Sequence, residues 1–362
     1  MKNVLLISFL FITIALSAQN SSLIVLGDLH YNLHKDHDLN WLESQAGNLV
    51  QESESYSDYT DKYWGPFMKK VQKNALSVTP PVKAIIQVGD LSEGLAGSVE
   101  KARQMMHHTV KAIDSTQMPV PWIIARGNHE TYGPGANEAF QEFFVPLFRE
   151  QTQNPEISNA SYSYHTGNVQ ITCLDPWDAD VDMVAFLEKE FSTSKSKYKF
   201  VAIHEPVIPV TGYCWYALRR DEQQRNKLLE LIAKHKAIVL TGHLHRYSIV
   251  SRKTAFGPVV QVMVVSVVKD SSYQQPLNTI TEYGPSLMDG FTDWKPETIE
   301  TRKSILLEES KHVTFFKQTD LPGYAIIKID DNRERIQLEY YAAFGNKPYD
   351  TINLTELMQQ YY

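Results

Sequence analysis

Seven residues able to ligate a metal recur at short spacings along the 362-residue chain: Asp28 with His30, Asp90, Asn128, His204, and His243 with His245. An eighth candidate, His129, follows Asn128 directly. Carboxylate, amide oxygen and imidazole, without thiolate, suit Zn, Mn, Fe or similar ions. Seven donors exceed the three that a single tetrahedral catalytic ion usually takes from its protein. They suit two divalent ions sharing a bridge, an arrangement that clamps a phosphoryl group and generates hydroxide for in-line attack. Left unligated, His129 serves as an acid for the departing oxygen or as a charge partner for the phosphate.

Each donor set lies where an apolar run of strand length stops. Ser22–Leu26 ends in Gly27-Asp28-Leu29-His30, Val82–Val88 in Gly89-Asp90, and Val120–Ala125 in Arg126-Gly127-Asn128-His129-Glu130. Phe200–Ile203 ends in His204-Glu205-Pro206, and Ala237–Leu240 in Thr241-Gly242-His243-Leu244-His245. Gly127 permits a sharp turn at its strand end. Asp28 and His30, two apart, point to the same side of extended chain. The intervening segments carry helical patterns over Val99–Ile113, Asn137–Glu150, Met183–Phe191 and Asp221–His235, so the strands are expected to form a largely parallel sheet. In such a sheet the binding crevice lies at the carboxyl ends of the strands, and all five sets converge there. One histidine after a strand is most often a structural residue. Five matched strand ends are not accounted for in that way. Glu130 is expected to orient a neighbouring group rather than to bind metal.

The rest of the chain frames these runs. Asp61–Ala75 has Tyr63, Phe67, Val71 and Ala75 four apart and is read as an amphipathic helix. His34, Asp36, His37 and Asp38 are read as a solvated loop, and His107 and His108 as surface or helix-packing residues. Tyr162 and Tyr164 with Val169–Leu174 alternate as a hairpin, as do Tyr324–Asp330 and Arg335–Ala342. Residues 270–322 show poor periodicity and many turn formers, and are read as an irregular insertion over or beside the site. Tyr132, Tyr213, Trp215, Tyr216, Arg219 and Arg220 follow metal motifs. Of these, Tyr132, Arg219 and Arg220 are the expected substrate-binding residues: an aromatic to stack on a ring and arginines to pair with phosphate.

Composition bounds the class. Hydrophobic content of 43% and charged content of 21% are those of a globular protein with a sizeable core. A net charge of -7 disfavours nucleic acid as a partner, which calls for a basic face. Lys2, the apolar run Val4–Leu16 and the small residues Ser17-Ala18 form an export signal over residues 1–18. The run is short of the roughly 20 apolar residues of a membrane span, so no stable span is expected after cleavage and the product is expected to be periplasmic or extracellular. Cys173 and Cys214 are the two cysteines. Neither sits in a CxxC or Cys-His pattern, which disfavours a thiol catalyst. Export permits a disulfide, while the apolar run around Cys173 equally fits a buried free thiol.

Taken together, Asp28-X-His30, Gly89-Asp90, Gly127-Asn128-His129-Glu130, His204 and Gly242-His243-X-His245 resemble the five-block signature of calcineurin-like metallophosphoesterases, from residue 24 to about 247. The resemblance implies a four-layer α/β/β/α sandwich of two mixed β-sheets, occupying residues 22–362, with the metal site at the carboxyl ends of the strands. It implies that one metal takes Asp28, His30, Asp90 and His245, and that the other takes Asp90, Asn128, His204 and His243, with Asp90 bridging and His129 as the catalytic histidine. The implied cofactors are two divalent or mixed-valence ions, Mn, Fe or Zn. The implied partner is a small phosphate ester, mono- or diester. His30 stands where purple acid phosphatases have glycine, and Glu93 where they have a ligand tyrosine. Gly89–Gly94 lacks the arginine of the Ser/Thr protein phosphatases. The broad group of small phosphatases and phosphodiesterases remains. The alternative is a non-catalytic metal-containing binding module on the same framework, which has little need of a full ligand set plus His129.

Overall fold

A computed structural model describes residues 20–45, 47–211, 214, 222–291 and 298–359. The segment read as an export signal and the candidates Tyr213, Trp215, Tyr216, Arg219 and Arg220 lie outside the described residues. Within them, the apolar runs form two sheets rather than one. The first holds β1 (Ser21–Leu26), β2 (Val82–Gln87) and β3 (Trp122–Ile124), parallel to one another. It continues antiparallel through β12 (Gly323–Asp330), β13 (Arg335–Ala342) and β14 (Asp350–Asn353), in the order β14-β13-β12-β1-β2-β3. The second sheet has the order β10-β11-β8-β9-β7-β6-β5-β4. Its strands are β4 (Tyr162–Thr166), β5 (Val169–Leu174), β6 (Tyr198–Ile203), β7 (Ile238–Thr241), β8 (Tyr247–Thr254), β9 (Gly257–Met263), β10 (Thr279–Ile280) and β11 (Val313–Thr319). Strands β5, β6, β7 and β9 are parallel, and the flanks are antiparallel.

Central strands are buried on both faces and therefore read as unbroken apolar runs. Every residue of β1 and of β5 is buried. The main core joins facing residues of both sheets to the helices α3 (Gly65–Ser77), α4 (Val99–Ser115) and α5 (Ala136–Thr152). A second core lies between the other sheet and the helices α6 (Met183–Thr193), α7 (Glu222–Lys234) and α8 (Ile299–Ser310). Helix, sheet, sheet and helix thus stack as four layers. Helices α4, α6 and α8 start on side-chain caps: Ser98 accepts from the Lys101 amide, Asp182 from those of Val184 and Ala185, and Thr298 from that of Thr301.

Three readings need correction. The largely parallel sheet expected from the strand and helix pattern is two mixed sheets, as the family resemblance implied, and the donor-bearing ends are shared between β1, β2 and β3 on one side and β6 and β7 on the other. The helix read at Asp61–Ala75 is longer. Helices α1 (Leu39–Ser44) and α2 (Leu49–Tyr59) precede it, and a π-helical turn, Thr60–Trp64, joins α2 to α3. Helix α2 lacks an apolar stripe because its inner face is polar. The Asn32 amide donates to the Ser53 carbonyl and the Ser57 hydroxyl, and the Asn32 backbone N–H donates to Thr60 Oγ1. The stretch 270–322 is not irregular throughout, since it supplies β11 and α8. Helix α8 hides from a hydrophobic pattern because two of its three buried residues, Arg302 and Glu309, are charged. Glu309 is held between Arg225 at 3.0 Å and Arg252 at 2.7 Å, on the outer side of the second sheet.

Candidate metal centre

The loops after β1 and β2 are zipped together by backbone bonds. Asp28 N–H donates to Gly89 O at 3.2 Å, and His30 N–H to Asp90 O at 3.0 Å. Glu130 ties the third loop to them. Its carboxylate accepts from the amides of Gly127 (2.7 Å), Asp90 (3.1 Å) and Ser92 (2.8 Å). Glu130 therefore orients the loops that carry the donors. The second sheet is joined through Asp28, whose Oδ1 accepts the His243 N–H at 2.7 Å, and through His204, whose Nδ1 donates to Val88 O at 2.8 Å. Gly127 passes so close to its neighbour that a β-carbon there would lie 2.2 Å from Asp90 N and Oδ1. Asp28, His30, Asp90, His243 and His245 all have positive φ, between 46° and 79°. Residues other than glycine adopt this left-handed region at a cost, and such strain gathers where function holds it in place.

All seven expected ligands, with His129, come together. The ligand atoms of Asp28, His30 and His245 lie within 4.8 Å of one another, as do those of Asp90, His204 and His243. Asp90 stands between the two sets: its Oδ2 is 3.0 Å from His204 Nε2 and 4.0 Å from His30 Nε2. Asn128 joins the second set, with Oδ1 3.0 Å from His204 Nε2 and 2.8 Å from His243 Nδ1. A third grouping, His30, Asp90 and His129, satisfies the same spacing. The His129 ring Nδ1 donates to the Glu93 carbonyl oxygen, and its backbone N–H donates to Asp90 Oδ1 at 2.9 Å.

The donor chemistry fits divalent cations. His30 Nδ1 donates to Glu93 Oε2 at 2.6 Å and His204 Nδ1 donates to Val88 O at 2.8 Å. With the Nδ1 proton committed outward, Nε2 is in each case the ring atom turned toward the cluster, the arrangement a ligating histidine needs. His30 Nε2 and His245 Nε2 face each other at 2.8 Å. Burial holds His30 and His245 well below the ordinary imidazole range and lowers His243 to about 3, so all three are neutral donors at pH 7. Asp28 Oδ2 is buried without a hydrogen-bond partner, and burial pushes this carboxyl up to about 8. A buried carboxylate is costly unless paired or bound to metal, and a cation in this cluster would satisfy the orphaned oxygen. Burial lowers His129, but the nearby Asp90 and Glu93 carboxylates outweigh it and raise the imidazole to about 9.

Sequence reasoning passed over Glu93 and Tyr56. Glu93 is fully buried behind His30, and the Tyr56 ring stacks on His30 at 4.6 Å. Glu93 lies three residues after Asp90, which was a usable signal. Tyr56 lies on the polar helix α2, which was not. Tyr132 is 44% exposed, with its ring 5.4 Å from that of His129. His37 and Asp36 are buried rather than solvated: His37 bonds Leu95 O and Asn32 Oδ1, and Asp36 takes His108 at 2.8 Å. Those contacts pin the loop to α4 and leave neither residue in the centre. Cys173 and Cys214 are buried free thiols. Among the described residues no helix is long and apolar enough to cross a membrane.

A sequence model of the calcineurin-like phosphoesterase family matches residues 21–247. No curated protein sequence matches the chain. Among solved structures it is similar to a dimetal phosphatase from Danio rerio, at 11% identity and TM-score 0.50, over 92% of this chain and 98% of that one. It is also similar to PhoD, at 12% identity and TM-score 0.49, over 92% of this chain and 68% of that one. The family match covers the whole run of donor loops, and the His/Asp clusters it spans are those of a divalent metal centre. The chain belongs to the calcineurin-like phosphoesterase family and is a hydrolase acting on phosphoric ester bonds.

Proposed function

We propose that this protein is an exported phosphoesterase that works with two divalent ions on small phosphate mono- or diesters. Residues 22–362 form its catalytic domain, and residues 1–18 are removed on export. The observation that carries the reading is the position of Asp90, whose carboxylate lies between one set of donors on Asp28, His30 and His245 and another on His204, His243 and Asn128. In this reading one ion takes Asp28, His30, Asp90 and His245. The other takes Asp90, Asn128, His204 and His243. When bound, Mn, Fe or Zn ions supply Lewis-acid polarisation of the phosphoryl group and a nucleophile at neutral pH.

The chain's own residues supply the rest. Glu93 and the Val88 carbonyl hold His30 and His204 in the ligating tautomer. His129 keeps its Nδ1 proton on the Glu93 carbonyl, which fixes the ring. The carboxylates of Asp90 and Glu93 favour its protonated form, so it holds a proton for the departing oxygen or a positive charge for the phosphate. Tyr132, half exposed beside His129, borders the place where the rest of the ester lies.

The test is turnover of p-nitrophenyl phosphate and bis-p-nitrophenyl phosphate with added Mn or Zn, alongside metal analysis. Two equivalents of metal and metal-dependent turnover of either ester are expected. Stoichiometric metal with no turnover of both would overturn the enzymatic part of the proposal. For export, the amino terminus of protein recovered outside the cytoplasm should begin at Gln19, and recovery only in the cytoplasm with Met1 or Lys2 first would refute it.

A further inference from the structure

Lys269 is a cation at the rim of this centre that the metal-binding loops leave unexplained. It follows Val264–Val268, a segment that runs off β9 beneath the donor loops. Val264 N–H donates to Thr241 O at 3.0 Å, just ahead of Gly242 and His243. Ser266 N–H donates to Gly27 O at 2.6 Å, and its hydroxyl accepts from Gly27 N at 3.1 Å and donates to Gly323 O at 2.8 Å. Gly323 N–H donates to Val265 O at 2.8 Å. The segment is thus fastened to backbone of both sheets, one residue away from Asp28, and this fixes where Lys269 emerges.

Its side chain is exposed. Nζ lies 5.7 Å from the centroid of the Tyr56 ring, and that ring stacks on His30 at 4.6 Å and 27°. Tyr56 also lies beside His245, with ring centroids 6.5 Å apart. The ammonium charge is felt by His30 and His245, by the buried Glu93, and by Glu52, one turn before Tyr56 on α2. Among the described residues Lys269 makes no ion pair, Glu52 included. A lysine set over Tyr56, which itself stacks on a neutral histidine, with no paired carboxylate among the described residues and on a firmly tied segment, is an anchor for an anion supplied from outside, and a lysine binds phosphate as a point charge.

We propose that Lys269 is a phosphate-binding residue of this site, taking a non-bridging oxygen of a phosphomonoester, or of the inorganic phosphate released, on the His30–His245 side. His129 and Lys269 then flank the phosphate: His129 borders the His30 ring directly, with centroids 4.6 Å apart, and Lys269 borders it through Tyr56. The inference rests on the phosphoesterase reading. It implies a preference for doubly charged monoesters over singly charged diesters.

Lys269→Met and Lys269→Arg test it in the metal-loaded protein. Inorganic phosphate binding is measured by titration calorimetry, and kcat and KM are measured on p-nitrophenyl phosphate and bis-p-nitrophenyl phosphate. Lys269→Met should weaken phosphate binding and raise KM for the monoester by about 10-fold, the order expected for losing one charge-assisted contact at an exposed site. It should change the diester KM less, leave bound metal unchanged, and be rescued by Lys269→Arg to within about 3-fold. Phosphate affinity within twofold of wild type in Lys269→Met overturns the proposal, as does an equal loss in Lys269→Arg. If wild-type protein binds metal and phosphate but turns over neither ester, the catalytic reading fails while the calorimetry still decides the role of Lys269.

Discussion

At the residue scale, one carboxylate and one imidazole separate the two jobs of the centre. Among the described residues Asp90 is the side chain placed between both donor sets, and its Oδ1 also receives the His129 amide. Asp90→Ala should therefore lose both metals and nearly all turnover. Metal analysis that still finds two equivalents would remove the bridging assignment. His129 spends its Nδ1 on the Glu93 carbonyl, has its charge favoured by the Asp90 and Glu93 carboxylates, and lies with its ring beside the part-exposed Tyr132. His129→Ala should keep both metals and lose turnover by a factor of about 10²–10⁴, the usual contribution of a general acid. Loss of one metal equivalent in this variant would place His129 among the ligands, a role its spacing to His30 and Asp90 permits.

At the element scale, the centre depends on loops that approach more closely than side chains allow. Gly127 carries no β-carbon because the position it would occupy lies 2.2 Å from Asp90 N and Oδ1. Gly127→Ala should push apart the loops after β2 and β3, weaken metal binding and cut kcat/KM by at least about 10-fold. Unaltered metal stoichiometry and activity would show that the loops yield without cost. The same geometry explains what could be read from the chain. The strand ends were legible because β1, β2, β6 and β7 are largely buried on both faces and read as predominantly apolar runs with donors at their ends. Which sheet each run joins was not, since a parallel neighbour in the same sheet and a strand in the facing sheet leave the same pattern. Glu93 and Tyr56 escaped for a different reason. They touch His30 from a loop and from a helix whose inward residues are serines and a tyrosine, so no periodicity marks them.

At the scale of the whole molecule, the metal-free centre sets stability against pH. Burial pushes Asp28 and Glu93 up to about 8. Carboxylate neighbours, against the opposing effect of burial, raise His129 to about 9 and His204 to about 10. An unfolded chain releases these protons near pH 4 for the carboxyls and near 6.5 for the imidazoles. Between pH 6.5 and 8 the folded, metal-free protein therefore holds protons the unfolded chain has lost, and its stability must fall as pH rises. The lowered histidines, His30, His243 and His245, oppose this only below about pH 6.5, where the unfolded chain begins to protonate them. Divalent ions displace the protons of the ligands among these groups, Asp28 and His204, so they bind more tightly as pH rises, and a ligand that binds only the folded state adds its binding energy to stability. Chelated protein should show a melting temperature that declines from pH 6.5 to 8, while metal-loaded protein should not, so the gap between them widens with pH. Calorimetric scans of both forms across that window check this directly. Parallel curves would mean that the strained, buried donors are held by the fold without any debt that metal relieves.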